Sequence, residues 1–223
     1  MFNDEDLIEL SHPKYWDGRY RSEQRVTQNG IQPVLDSYEW FRSFEQLRPF
    51  FENNLPPSSS GCHILHLGCG NSNLTADLYA LGYTNQTSID FSQVVIDAMM
   101  TKYSDLETRW GVMDVRELQL PDGSVDVAID KGTLDAMIHG SLWDPPADVQ
   151  SNVGKYVDEV ARVLKPGGQW LYITYRQPHF MKPLLERKDS WDFAVKTLGD
   201  SQGTGEFDYF GFIMKRHEAS NTS

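Results

Sequence analysis

Cysteine is scarce in this 223-residue sequence, which contains only Cys62 and Cys69. They flank one apolar run that we expect to be a strand. Seven extended residues would separate them by roughly 23 Å, too far for a disulfide. We therefore expect a reducing compartment and a cytoplasmic location. Two cysteines without a nearby histidine cluster also argue against zinc, so no metal site is expected.

Positive charge and long apolar runs are lacking too. The 20 Lys and Arg residues face 32 Asp and Glu residues, which gives a formal net charge of −12. Nucleic-acid binding needs basic patches and is not expected. The acidity would suit a basic partner, or simply aid solubility. No apolar run approaches 18 residues, so no membrane span is expected, and the acidic residues 1–6 are unlike a signal or transit peptide.

Short apolar segments alternate with helical patterns after a linker at residues 56–61. Strands are predicted at 63–67, 87–89, 109–113, 125–129 and 169–174, the last after a turn at 165–168. Helices are predicted at 37–51, 72–81, from Ser92 onward, and at 148–164. Such alternation implies a parallel sheet with right-handed crossovers.

The C-terminal pattern differs, because strand-like segments at 191–198 and 207–215 flank the turn-rich residues 199–205. A hairpin needs no crossover helix, so these segments predict an antiparallel pair. The predicted fold is therefore α/β, with a doubly wound, mostly parallel, seven-stranded sheet that ends in an antiparallel hairpin.

A glycine loop, Gly68-Cys69-Gly70, follows the first predicted strand. Glycine there allows a ligand to approach the backbone, although a plain tight turn is the alternative. The dinucleotide fingerprint requires a third glycine where Asn73 stands. The sequence also contains no Gly-Lys-Ser/Thr phosphate loop.

Carboxylates end three successive strands, at Asp90, Asp114 and Asp130. Open α/β sheets bind ligands at this edge. Asp90 follows the glycine loop at the spacing that reaches ribose hydroxyls, although it could instead cap a helix. Asp114 can accept from an adenine amine, with Phe91 and Val115 beside the ring, or it is a surface turn residue. Acceptors for a ribose and for an amine, without a lysine that would bind phosphate, fit S-adenosylmethionine better than NAD or ATP.

Four motifs carry a resemblance to a known family. They are Leu-Gly-Cys-Gly-Asn-Ser at 67–72, Asp-Val-Arg at 114–116, Asp-Lys-Gly-Thr-Leu-Asp-Ala at 130–136 and Arg-Val-Leu-Lys-Pro-Gly-Gly at 162–168. Over about residues 14–216 the chain resembles the methyltransferase-like family related to the elongation factor 1-alpha lysine methyltransferases. Aromatic motifs at 15–20, 38–41 and 178–180 resemble its endothelin-converting-enzyme-2-like subgroup.

The resemblance implies one class I, Rossmann-like methyltransferase domain over residues 1–223. Residues 1–60 would form a helical, aromatic lid region and residues 61–216 the α/β core. The candidate cofactor contacts are Trp16, Tyr20, Trp40, Gly68, Gly70, Asp90, Phe91, Asp114, Val115 and Lys131. Ordinary packing is the alternative for the two tryptophans. Residues 137–153 and those after 180 depart from the family pattern and are expected to form the substrate mouth.

Asp130 and Asp135 are the candidate catalytic residues, because a carboxylate near the methyl group could attract an ammonium group or accept its proton. Alternatively, Asp135 caps a helix and Asp130 merely ends a strand. Three functions remain open. The first is a monomeric lysine methyltransferase that acts on a basic protein such as elongation factor 1-alpha. The others are a small-molecule methyltransferase and a non-catalytic cofactor-binding adaptor.

Overall fold

A computed structural model describes residues 4–24, 26–27, 30–31, 35–199 and 208–218. Two helices, α1 (Asp4–Glu9) and α2 (Pro13–Glu23), open the chain. The two-residue strands β1 (Val26–Thr27) and β2 (Gly30–Ile31) then form a small antiparallel pair. Residues 200–205 of the turn predicted at 199–205 lie outside the described residues.

Helix α3 spans Phe44–Asn54, so the predicted start at residue 37 is wrong. Phe41 has a left-handed backbone with φ 67°, which a right-handed helix cannot include. The helix begins after Ser43, whose N–H donates to Gln46 Oε1 at 3.0 Å. This side chain therefore satisfies a backbone donor at the helix start.

Seven strands form the central sheet of the described chain, in the order β5-β4-β3-β6-β7-β9-β8. Their bounds are β3 (Ile64–Leu67), β4 (Gln86–Asp90), β5 (Arg109–Val112), β6 (Val125–Lys131), β7 (Leu164–Thr174), β8 (Trp191–Leu198) and β9 (Tyr209–Arg216). Strands β3 to β7 are parallel, and β9 is antiparallel to both of its neighbours. The predicted sheet with its antiparallel hairpin is confirmed.

The turn predicted at residues 165–168 is an irregularity within β7. Val125 pairs with Leu164, but Val127 pairs with Gln169, so extra residues bulge from β7. Gly167 has φ 76°, and a Cβ on Gly168 would lie 2.9 Å from the Asp126 carbonyl oxygen. These glycines allow a bulge where the sequence pattern suggested a chain turn.

Helices cover both faces of the sheet. They are α4 (Leu74–Ala80), α5 (Gln93–Lys102), α6 (Ala147–Val163) and α7 (Pro178–Leu185). The predictions at 72–81 and 148–164 are confirmed to within two residues, and α5 begins directly after Ser92, as predicted. Helix α7 was not predicted, because it has only 8 residues and contains Pro178 and Pro183.

The alternation of side chains along β6 divides the core into two layers. Ala128 packs in the same cluster as the buried valines of α6, such as Val153 and Val157. Val127 and Ile129 pack in the cluster that contains α3 and α4. Helix α3 is therefore part of the packed core, although it lies within residues 1–60, which were expected to form the lid region. Within the described parts of the chain, no helix is long and apolar enough to cross a membrane.

Candidate active site

A cavity of about 330 Å³ lies at the carboxyl ends of β3, β4 and β6. The strand order changes direction between β3 and β6, and open α/β sheets bind ligands at such a point. The wall includes the glycine loop after β3, Asp90 at the end of β4 and Lys131 at the end of β6. The volume is in the range of small-molecule sites.

Asp90 is a buried acceptor at the centre of this wall. Its side chain is 5% exposed, and its two oxygens accept N–H bonds from Gly70 at 3.0 Å and Ser92 at 2.9 Å. Burial raises the pKa of Asp90 to about 6. A carboxylate has about four acceptor positions, so both oxygens can still accept from a ribose.

The glycine loop is shaped by its neighbours in the fold. Gly68 has φ 66°, and a Cβ there would lie 2.1 Å from Thr133 Oγ1. That hydroxyl donates to the Leu67 carbonyl at 2.8 Å, so Gly68 permits close contact between the loop and the residues after β6. Gly70 has φ 51°, and a Cβ added to it would lie 3.1 Å from the Tyr20 hydroxyl.

Aromatic residues from the N-terminal section form one side of the cavity. Trp16, Tyr20 and Trp40 all line it. The Trp16 ring lies 5.8 Å from the Tyr20 ring and 6.1 Å from the Trp40 ring, centroid to centroid. The Arg19 guanidinium lies 5.0–5.4 Å from the rings of Trp16, Tyr38 and Trp40. These cation–π contacts hold the two parts of the aromatic wall together.

Helix α2 is also joined to the sheet through Ser92. The Ser92 hydroxyl donates to Asp17 Oδ1 at 2.5 Å. Ser92 therefore occupies the N-cap position of α5, as predicted, but its side chain bonds α2 rather than the α5 backbone. This bond places the N-terminal aromatic residues beside the end of β4.

The residues predicted to hold an adenine ring are only partly gathered at the cavity. Phe91 and Val115 line the wall, whereas Asp114 does not. The Asp114 carboxylate pairs with Arg116 at 2.6 Å. Among the ten predicted cofactor contacts, Asp114 is the one that lies off the wall, so its bond to an adenine amine stays a prediction.

The two candidate catalytic carboxylates occupy different positions. Asp130 is fully buried and does not line the cavity. It accepts bonds from the N–H groups of Thr133 and Leu134 and from the Tyr156 hydroxyl. Burial raises its pKa to about 7. This arrangement suits a residue that positions the loop after β6.

Asp135 lies on the cavity wall. It accepts bonds from the Tyr172 hydroxyl at 2.7 Å and the Thr174 hydroxyl at 2.6 Å. Its Oδ1 also lies 3.2 Å from Arg176 Nε. Burial raises the pKa of Asp135, although Arg176 acts in the opposite direction. Sequence reasoning missed Arg176, whose only signal was a charge directly after an apolar strand.

Among the described residues, the cavity wall contains one lysine and one arginine, and each already has a carboxylate partner. Lys131 pairs with Glu39 at 2.9 Å, and Arg176 pairs with Asp135. A dinucleotide would need donors for its pyrophosphate. A wall with paired cations, a buried carboxylate and aromatic rings therefore fits S-adenosylmethionine, which has no phosphate.

An open parallel sheet that ends in an antiparallel hairpin, with such a site at its switch point, defines a class I S-adenosylmethionine-dependent methyltransferase. A family model described as "Methyltransferase domain" matches residues 65–172. Mouse (Mus musculus) EEF1A lysine methyltransferase 4 is 36% identical over 216 residues, which is 94% of this chain and 77% of that protein. Its Bos taurus counterpart is 35% identical over 209 residues, covering 91% and 74%. The chain belongs to the methyltransferase family that includes these mouse and Bos taurus proteins.

A solved structure supports the fold assignment. The N-methyltransferase NodS from Bradyrhizobium japonicum, crystallised with S-adenosylhomocysteine, aligns with a TM-score of 0.54. The alignment covers 78% of this chain and 88% of NodS at 14% sequence identity. At that identity, the likeness concerns the fold alone.

Proposed function

We propose that this methyltransferase transfers a methyl group to the side-chain amine of a lysine on a basic protein, and that eEF1A is the first substrate to test. The mouse and cattle relatives carry the name of eEF1A lysine methyltransferases. The net charge of −12 would also steer a basic partner toward the enzyme.

The observation that carries the proposal is the presence of two buried carboxylates on one cavity wall. Asp90 would provide a ribose acceptor, and Asp135 lies on the same wall beside Tyr175 and Arg176. Tyr175 is 46% exposed and its ring lies 5.4 Å from that of Phe41. The Asp135 side of the cavity therefore combines a carboxylate with aromatic walls, as a lysine channel requires.

The chemistry needs alignment and proton removal. Bound S-adenosylmethionine supplies a methyl group that its sulfonium already activates. Holding the amine in line with that methyl can lower the barrier by roughly 7–11 kcal/mol. A free lysine has a pKa near 10.4, so on the order of one in a thousand is neutral near pH 7. The apolar rings of Phe41 and Tyr175 would lower that pKa, and Asp135 would attract the ammonium or accept its proton.

Cofactor binding would use the part of the cavity that Asp90 lines. In this proposal, Asp90 accepts from the ribose hydroxyls and Phe91 and Val115 pack on the adenine ring. Trp16, Tyr20 and Trp40 cover the cofactor as a lid. We also propose that the protein is a single, monomeric domain that acts in the cytoplasm. The free thiols of Cys62 and Cys69 support the cytoplasmic location, because it is a reducing compartment.

Incubation of the protein with methyl-labelled S-adenosylmethionine and whole-cell lysate tests this function. Protein and small molecules are separated before counting, and the labelled protein is hydrolysed to identify methyl-lysine. We expect label in methyl-lysine. Label in small molecules alone would indicate a metabolite acceptor, and intact cofactor binding without any label would indicate an adaptor.

A further inference from the structure

Glu39 lies between Tyr38 and Trp40 in the segment of residues 38–41, called here the lid segment. We propose that Glu39 and Lys131 form a latch that positions the lid segment over the cofactor cavity. Both would act as positioning residues for cofactor binding. The Lys131 side chain would therefore serve the cofactor indirectly, through the lid.

The first contact of the latch is a shielded ion pair. Glu39 Oε2 lies 2.9 Å from Lys131 Nζ, and the two side chains are 23% and 6% exposed. Lys131 Nζ also donates to the Trp40 carbonyl at 3.0 Å. The end of β6 thus holds both a side chain and the backbone of the lid segment. Salt screens a pair with so little exposure far less than it screens a surface pair.

The second contact joins the lid segment to Ser72 and Asn73, which follow the glycine loop. The Glu39 carboxylate accepts from the Ser72 hydroxyl at 2.8 Å and from the Asn73 N–H at 2.7 Å. Asn73 directly precedes α4. One carboxylate therefore connects the lid segment, the end of β6 and the residues between the glycine loop and α4.

The lid segment needs such support because its conformation is unfavourable alone. Phe41 has φ 67°, a left-handed backbone that residues with a Cβ rarely adopt. Its ring lies against Gly132, where an added Cβ would approach it to 3.1 Å. The latch holds Glu39 and Trp40, the two residues before this strained position, and so keeps the Trp40 ring against Trp16 at the cavity.

The latch predicts a specific effect on cofactor affinity. Glu39→Gln removes the charge but keeps the size of the side chain, and Lys131→Met removes the cation. Each should raise the Kd for S-adenosylhomocysteine roughly tenfold, as expected for the loss of a charged hydrogen bond. In the labelling assay, Glu39→Gln should raise the KM for S-adenosylmethionine and leave kcat at saturation close to wild type, because Glu39 is not among the residues that line the cavity.

Three further variants complete the experiment. Lys131→Arg should restore most of the affinity, since it keeps the cation. The double variant E39Q/K131M should lose less than the product of the two single losses, because both remove one interaction. Because the double variant leaves no unpaired buried charge, it should fold even if a single variant unfolds, and its Kd can then be measured instead. Glu52→Gln is the matched control, since it breaks the exposed Arg48–Glu52 pair and should change nothing.

Calorimetric titration with S-adenosylhomocysteine, together with thermal unfolding of each variant, decides the outcome. A raised Kd in folded variants, with the KM effect and rescue by arginine, supports the latch. An unchanged Kd in folded Glu39→Gln overturns it. A fall in kcat without a change in Kd also overturns it, as does an equal effect of Glu52→Gln.

Discussion

Asp90 holds the glycine loop through the Gly70 N–H and the start of α5 through the Ser92 N–H. Asp90→Ala would leave the ribose hydroxyls without their acceptor in a largely buried site. A hydrogen bond to a charged group contributes about 1.5–3 kcal/mol, so the affinity for S-adenosylhomocysteine should fall roughly ten- to a hundredfold. Calorimetry measures this, with the exposed Asp97→Ala on α5 as control. A folded Asp90→Ala protein with wild-type affinity would remove Asp90 from the cofactor site.

The raised pKa of Asp90, about 6, predicts a pH dependence of binding. Above that pH the group is a carboxylate that can accept from both hydroxyls, whereas below it one oxygen carries a proton. Affinity for S-adenosylhomocysteine should therefore weaken as the pH falls from 7.5 to 5. Titrations at several pH values measure the effect, and Asp90→Asn should flatten the curve. A wild-type affinity that is constant across this range would contradict the assignment.

Asp135 should affect the chemistry rather than the cofactor. Asp135→Asn keeps the size of the side chain but loses the charge that would attract an ammonium group. We expect a lower kcat with an unchanged Kd for S-adenosylhomocysteine. Thermal unfolding must accompany the assay, because the neutral amide would leave Arg176 without its anionic partner. Loss of cofactor affinity with full turnover at saturation would show that Asp135 belongs to the cofactor site instead.

Single residues differ in how well the sequence predicts them. Gly68 and Asp90 were predictable because the ends of parallel strands meet at one edge of the sheet. Glu39 was not, because its partner Lys131 is distant in the sequence. The burial of Asp130 beneath Tyr156 likewise depends on how α6 packs against β6, and no local pattern shows it.

At the scale of elements, the glycine loop is matched to the residues that follow β6. Gly68→Ala would combine a left-handed φ with a Cβ 2.1 Å from Thr133 Oγ1. Gly123→Ala provides the control, because Gly123 has φ 58° and nothing within 4 Å of its Cβ. Both changes should cost roughly 1–2 kcal/mol in backbone strain.

Gly68→Ala should lose more stability than the control in urea unfolding, and it should also lose affinity for S-adenosylhomocysteine. The extra loss reflects displacement of Thr133 and of its bond to the Leu67 carbonyl. Equal losses in the two variants would mean that the loop tolerates a side chain at Gly68.

Elements with a regular apolar pattern were predictable, and irregular ones were not. The buried residues Val149, Val153, Val157 and Val160 make α6 visible because they recur every three or four positions. Helix α3 starts late because the backbone of Phe41 is left-handed, and the bulge in β7 depends on contacts with Asp126. Such tertiary constraints leave no periodic signal in the sequence.

At the scale of the whole molecule, the alternation of strands and helices was sufficient to predict the sheet and its antiparallel hairpin. The same pattern could not identify the acceptor, because one fold hosts many acceptors. The family relationship supports a protein acceptor, and the net charge of −12 would suit the basic partner proposed above. The identity of the methyl acceptor is therefore the property to test.

The most direct test is mass spectrometry of purified eEF1A after incubation with this enzyme and S-adenosylmethionine. We predict a lysine-containing peptide whose mass increases by one or more methyl groups. The methylated fraction should fall roughly ten- to a hundredfold when Asp90→Ala replaces the wild-type enzyme at limiting cofactor. Unmodified eEF1A, together with label found only in small molecules when lysate is supplied, would contradict the proposed lysine acceptor.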